Sequence, residues 1–204
     1  MSLLRPAILS VMLVIAASQS PLSLADHHPY SVGILEGTES PVNRQVVNLI
    51  RNQDLKQLRE LFSKGANVNA ADTKGGRPIH FAVYMGNLEA VKALADIGAD
   101  LKVTTFGGWT TLHYAAFGGH AQVADFLIKA GIPIDARDSG GESPLYYAIE
   151  GGNLTMTKWL INRGADINHE NYKGDTPLST AMGTPHKHIV EYLKKLGAKE
   201  GGAD

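Results

Sequence analysis

The sequence predicts an all-α solenoid: about five stacked helix-turn-helix units joined by short hairpin-like turns. Three observations carry that reading. The chain lies on itself at a shift of 33 residues without a gap, which brings Asp72 to Lys102, Thr105 to Asp135, Asp138 to Asn168 and the segment from Asn171 into register. Within each segment apolar and small residues recur three apart, as on one face of a helix. Glycine closes each apolar stretch, where a left-handed residue stops a helix at little cost.

The elements follow in order within a unit. A first helix opens at Pro78, Thr111, Pro144 and Pro177, preceded by Arg77, Thr110, Ser143 and Thr176. Thr or Ser can cap free helix amides, and Pro fits the first turn, where its missing N–H costs nothing. Ile79, Leu112, Leu145 and Leu178 come next, and Ala82, Ala115, Ala148 and Ala181 lie three further on. Alanine there lets neighbouring helices approach closely. Gly86, Gly119 and Gly152 end this helix. A second helix carries Val91, Ala124, Thr157 and Val190, then Leu94, Leu127, Leu160 and Leu193, and ends at Gly98, Gly131, Gly164 and Gly197. The stretch Asp138-Ser139-Gly140-Gly141 reads as the turn between units. Such short helices are marginal alone, so each unit must bury its apolar face against its neighbours.

The ends depart from the pattern as caps should. Residues 43–70 form a degenerate first unit: Val46, Leu49, Leu58, Leu61 and Gly65 fall in their columns, but Gln45 and Gln53 replace the Pro and the first Gly. Three full repeats are expected at 71–103, 104–136 and 137–169. A C-terminal capping repeat, 170–199, has Pro185 in the first Gly column and adds Lys187, Glu191, Lys194 and Lys195, since a last unit must face water. Residues 200–204 are a tail.

Residues 1–25 read as an export signal: Arg5 precedes an apolar run from Ala7 to Ala17, and no acid occurs before Asp26. The run is too short to span a bilayer, so a cleaved signal is favoured over stable membrane insertion. Small residues at Ser23 and Ala25 place the cut after Ala25, with Ala17 as second choice, leaving residues 26–42 as an N-terminal tail. The expected location is periplasmic or secreted.

By its period, its paired helices and the motifs Arg77-Pro78-Ile79-His80-Phe81-Ala82, Thr110-Thr111-Leu112-His113-Tyr114-Ala115 and Thr176-Pro177-Leu178-Ser179-Thr180-Ala181, the chain resembles ankyrin-repeat proteins. The resemblance implies a curved array that recognises other proteins, without chemistry of its own, on a concave face made of the turn tips and the ends of the first helices. Mapped here, that face gives an anchor patch of Tyr84, Met85, Phe106, Trp109 and Phe117, with Lys74, Glu142 and Glu150 as a polar rim. The competing reading has Phe106 and Trp109 folding back over an imperfect turn or a neighbouring hairpin. Trp159 and Phe126 fall on second helices and are expected to pack between units or on the convex side. His80 and His113 occupy the motif column to which the resemblance assigns a hydrogen-bonding structural role. His120 is expected to be structural at a helix start, and His186 and His188 to be solvated.

Composition narrows the alternatives. With 19 basic and 20 acidic residues and no basic run, nucleic acid is not an expected partner. The absence of Cys removes disulfides, thiolate nucleophiles and Cys-ligated metals. No phosphate-binding, zinc-protease or nucleophile-elbow motif occurs, so neither an enzyme nor a cofactor is expected. One metal reading stays open: a cut after Ala25 would expose Asp26-His27-His28, whose amine, backbone nitrogens and imidazole could enclose Cu(II). That tail supports an alternative function in metal handling or stress protection. A secreted effector that binds a host protein is a further alternative.

Overall fold

A computed structural model describes residues 41–201. The expected export signal at residues 1–25, the expected cut after Ala25 and the tail Asp26-His27-His28 lie outside the described residues. Among the described residues ten helices follow one another in five antiparallel pairs: α1 (Pro41–Arg51) with α2 (Leu55–Ser63), α3 (Pro78–Tyr84) with α4 (Leu88–Asp96), α5 (Thr111–Gly118) with α6 (Ala121–Lys129), α7 (Pro144–Glu150) with α8 (Leu154–Asn162), and α9 (Pro177–Met182) with α10 (Lys187–Lys195). The fold is the all-helical solenoid that the 33-residue period predicts. No helix among the described residues is long and apolar enough to cross a membrane.

First helices pack side by side in one layer, and second helices form a layer behind them. The layers differ in burial. Every residue of Pro78–Val83, Thr111–Ala116 and Pro144–Ile149 is buried, so the inner first helices have no solvent face along most of their length. Second helices bury one side only, through Val91 and Leu94, Ala124 and Leu127, or Thr157 and Leu160. Ala82, Ala115, Ala148 and Ala181 are almost wholly shielded, as the close approach of stacked first helices requires.

Side chains at the helix starts tie the units together. Nδ1 of His80 accepts the backbone N–H of Arg77 (3.1 Å), and Nδ1 of His113 accepts that of Thr110 (3.0 Å). The ring hydrogen must then sit on Nε2, where it is donated to Val103 O from His80 and to Glu142 O from His113, both in the following finger region. Burial depresses both histidines to about 4, so they stay neutral and structural, as expected. Tyr146 replaces His in the fourth unit, and its hydroxyl lies between the carbonyls of His169 and Asp175, donating its one hydrogen to either in turn. Ser143 is left with a buried Oγ lacking a partner, because no imidazole stands at Tyr146 to receive it.

A second column performs the same task at the second helices. His120 reaches back to Tyr84 O at 2.9 Å, and Asn87 reaches Ile50 O at 3.3 Å. His186 bonds Glu150 O at 3.3 Å and is half-buried, which corrects the expectation of a solvated residue; His188 is exposed. A spacing of two says only that the histidines do not share a helical face. His186 stands in the column of Asn87 and His120, where a carbonyl of the preceding unit accepts a donor.

The terminal unit shows what a lost glycine does. Gln53, in the column of Gly86 and Gly119, is forced to φ +56°, whereas those glycines take +66° and +73° without a Cβ to clash.

Candidate functional site

The front of the array is a row of hairpin fingers beside the C-terminal ends of the first helices. Each finger closes by the same backbone pair, from Asp72 N to Gly76 O, Thr105 N to Trp109 O, Asp138 N to Glu142 O and Asn171 N to Asp175 O. Three fingers add a side-chain cap: Asp72, Asp138 and Asn171 each accept two N–H groups of their own turn on Oδ1. Thr105 stands in that column in the third unit and is too short to span the turn. Successive fingers are strung together by Phe106 N to Lys74 O, Ser139 N to Gly107 O and Tyr172 N to Gly140 O, at 3.0 to 3.1 Å. The approach is close enough that a Cβ on Gly75 would meet Phe106 N at 2.9 Å. The tips therefore form a continuous, positioned rail.

The proposed anchor residues divide on this rail. Phe106, at the tip, is 78% exposed, and Met85, at the end of α3, is 43% exposed. Tyr84 and Phe117 are half-buried against the core. Beside Met85 lies a depression of about 400 Å³, lined in part by Ile50, Arg51, Asn87 and Leu88. Lys74 is exposed on the second finger. Trp109 is corrected: at 3% exposure it is core, not anchor. Its ring centroid lies 3.9 Å from that of Tyr147 and 5.1 Å from that of Tyr114, so it seals the base of the third finger against α5 and α7. The fold-back reading holds for Trp109 and fails for Phe106. Tyr172, 68% exposed at the fifth finger tip, is an aromatic of the same kind that the anchor patch omitted; it stands in Phe106's column.

The acidic rim is also more involved than a solvated edge. Glu142 is half-buried and accepts from Asn171 Nδ2 at 3.2 Å. The Tyr147 hydroxyl lies 2.5 Å from Asp138 Oδ2 and 2.9 Å from Glu142 Oε2, yet a phenol has one hydrogen and donates to one carboxylate at a time. Glu150, ending α7, is half-buried, and its Oε2 is sealed without a hydrogen-bond partner. Burial, then the charges of Glu142 and Asp138, push its carboxyl up to about 8. Asp138 and Tyr147 were not singled out from the sequence. The available signal was a Tyr in the column of Phe81 and Tyr114, nine residues beyond an Asp that opens its own turn.

The back is differently composed. Trp159 and Phe126 are half-buried there, with the Arg163 guanidinium 3.7 Å from the Trp159 ring centroid. Arg59 pairs with Asp96 at 2.9 Å and Arg163 with Asp125 at 3.0 Å, linking successive units. Among the described residues no group of three or more His, Cys, Asp or Glu side chains is arranged to hold a metal ion.

Comparison with known proteins agrees with this architecture. The family model "Ankyrin repeats (3 copies)" matches residues 47–138 and 133–202, well over half of the chain. Ankyrin repeat domain-containing protein 13C of Homo sapiens is 33% identical over 81 residues, which is 40% of this chain but 15% of that protein. The chain thus spans a small part of that relative's length.

Proposed function

Because the chain belongs to the ankyrin-repeat family, we propose that it is a protein-binding module whose partner docks on the finger face, anchored by Phe106 and Met85 with Tyr84 and Phe117 beneath them. One observation carries this: two large apolar side chains stand in water on a rail whose backbone is held unit to unit. Exposed aromatics of this kind are the residue types that supply binding hot spots. Lys74, Glu142 and Glu150 border the patch, and Trp109 supports it from inside. We also propose that the module is exported, on the strength of Arg5, the apolar run Ala7 to Ala17 and the small residues before Asp26.

The docking test pairs Phe106→Ser with Met85→Gln in a C-terminally tagged chain and compares partner capture from native extract with the unaltered protein. Loss of a specific captured protein at an unchanged melting temperature is expected. Undiminished capture by the double variant would remove the anchor. The export test is mass spectrometry of the mature N-terminus, expected at Asp26; an intact Met1 on protein in the cytosolic fraction would overturn export.

A further inference from the structure

One column of the first helices crosses the front of the array from unit to unit. Through the first three units it reads Arg51, Tyr84 and Phe117, a cation followed by two aromatics. The Arg51 guanidinium stands 5.5 Å from the Phe81 ring centroid, between the first unit and the second. Arg44 and Lys74 are exposed at the same end, and α1 contains no acid, so this end of the face is basic. Where the first unit meets the second, the row opens into the depression of about 400 Å³, whose wall includes Ile50, Arg51 and Met85.

The residues that lead into α1 carry the complementary chemistry in the matching order. Asp26, Glu36 and Glu39 are acids, and no Lys or Arg occurs from 26 to 40. Tyr30, Val32, Ile34 and Glu36 alternate with Ser31, Gly33 and Leu35, so in an extended chain the first four share one side. Lengths agree as well. From Pro41 to Arg51 α1 rises about 15 Å. The chain from Pro41 back to Glu36 covers about 16 Å when extended, so a segment that turns back along α1 brings Glu36 level with Arg51. Packed helices lie about 8–10 Å apart, and each extended residue advances about 3.3 Å. Ile34 then falls at the depression, Ile34 and Val32 lie to either side of Tyr84, and Tyr30 arrives at Phe117. Resting on the docking proposal above, we infer that residues 30–36 of this chain seat on that face as a built-in occupant, with Glu36 on Arg51 and the three apolar side chains along Tyr84 and Phe117. A partner must displace this segment before it docks.

The experiment uses the full chain and its triple variant Tyr30→Ser, Val32→Ser and Ile34→Ser, which vacates the seat without altering a described residue. A labelled synthetic peptide of residues 28–40 is titrated against both, and melting temperatures are taken for every variant. The peptide should bind the triple variant, and the wild type about tenfold or more weakly, because the attached segment competes at a high effective concentration. Adding Arg51→Glu to the triple variant should weaken the peptide about threefold or more, and a peptide carrying Glu36→Lys should recover that loss. Equal affinity for the wild type and the triple variant, no binding to either, or binding indifferent to Arg51→Glu would overturn the seat. A wild type that is dimeric by sedimentation, beside a monomeric triple variant, would place the segment on a second copy and overturn it also. The docking proposal fails separately, on undiminished partner capture by Phe106→Ser with Met85→Gln.

Discussion

On the back of the array Arg59 meets Asp96 and Arg163 meets Asp125, while on the front Asp138 and Glu142 share one tyrosine hydroxyl, and Glu150 keeps a buried oxygen without a hydrogen-bond partner. Both sides are built from the same five units. The back has settled its charges within the chain and adds little by doing so, since exposed ion pairs are weak and screened. The front keeps two large apolar side chains, Phe106 and Met85, exposed to water, although its fingers are joined backbone to backbone. Rigidity with unsatisfied side chains is what a preorganised binding face requires, because a partner then orders itself rather than the receptor.

Trp109→Ser breaks the comparison most severely. It opens a void between α5 and α7 under the third finger and should cost about 3–5 kcal/mol, read as a lower midpoint in denaturant unfolding. Its neighbour Phe106→Ser, on the same hairpin, should leave that midpoint within about 0.5 kcal/mol. Equal losses at the two positions would mean that the third finger is not divided into core and tip.

Acid comes next. His80 and His113 are held at about 4 by burial, whereas the unfolded chain titrates them near 6.5. The unfolded state therefore binds more protons between these values, so stability present above about 6.5 is lost as pH falls to about 4, at most about 3 kcal/mol per histidine. Glu150 has the opposite sign: its folded value of about 8 makes stability fall as pH rises from its ordinary 4.5. Stability measured against pH should thus be highest near 6.5, and Glu150→Gln should flatten the fall from there to about 8 and steepen the acid side between about 4.5 and 6.5.

Tyr147→Phe removes the one hydroxyl between Asp138 and Glu142 and should cost about 1–3 kcal/mol by thermal or denaturant unfolding. On the back, Arg59→Gln should change stability by less than about 1 kcal/mol, a difference that shrinks further in salt. The smallest useful change runs the other way: Gln53→Gly should raise stability by a few tenths to about 1 kcal/mol by relieving a left-handed residue in the terminal unit.

Much of this was legible in the residues. Pro78, Pro144 and Pro177 mark real helix starts, Gly86, Gly119 and Gly152 are left-handed, and the His80 and His113 column is structural. The candidate site was legible only in outline. Phe106 and Trp109 are three apart on one turn and equally apolar, and nothing local says that one points to water and the other inward. The choice depends on Tyr147, 38 residues past Trp109 and in the next unit, whose ring meets the indole.

Sequence alone therefore determined the period, the helix pairs and the turns, because capping, helical phase and left-handed glycines are set by neighbours a few positions away and repeat 33 residues apart. Only tertiary structure decided which finger aromatics are buried, which acids lack a partner and that His186 serves the preceding unit. Those outcomes arise from contacts about one repeat apart along the chain, where a side chain's surroundings are supplied by the stacked neighbour and not by its own helix.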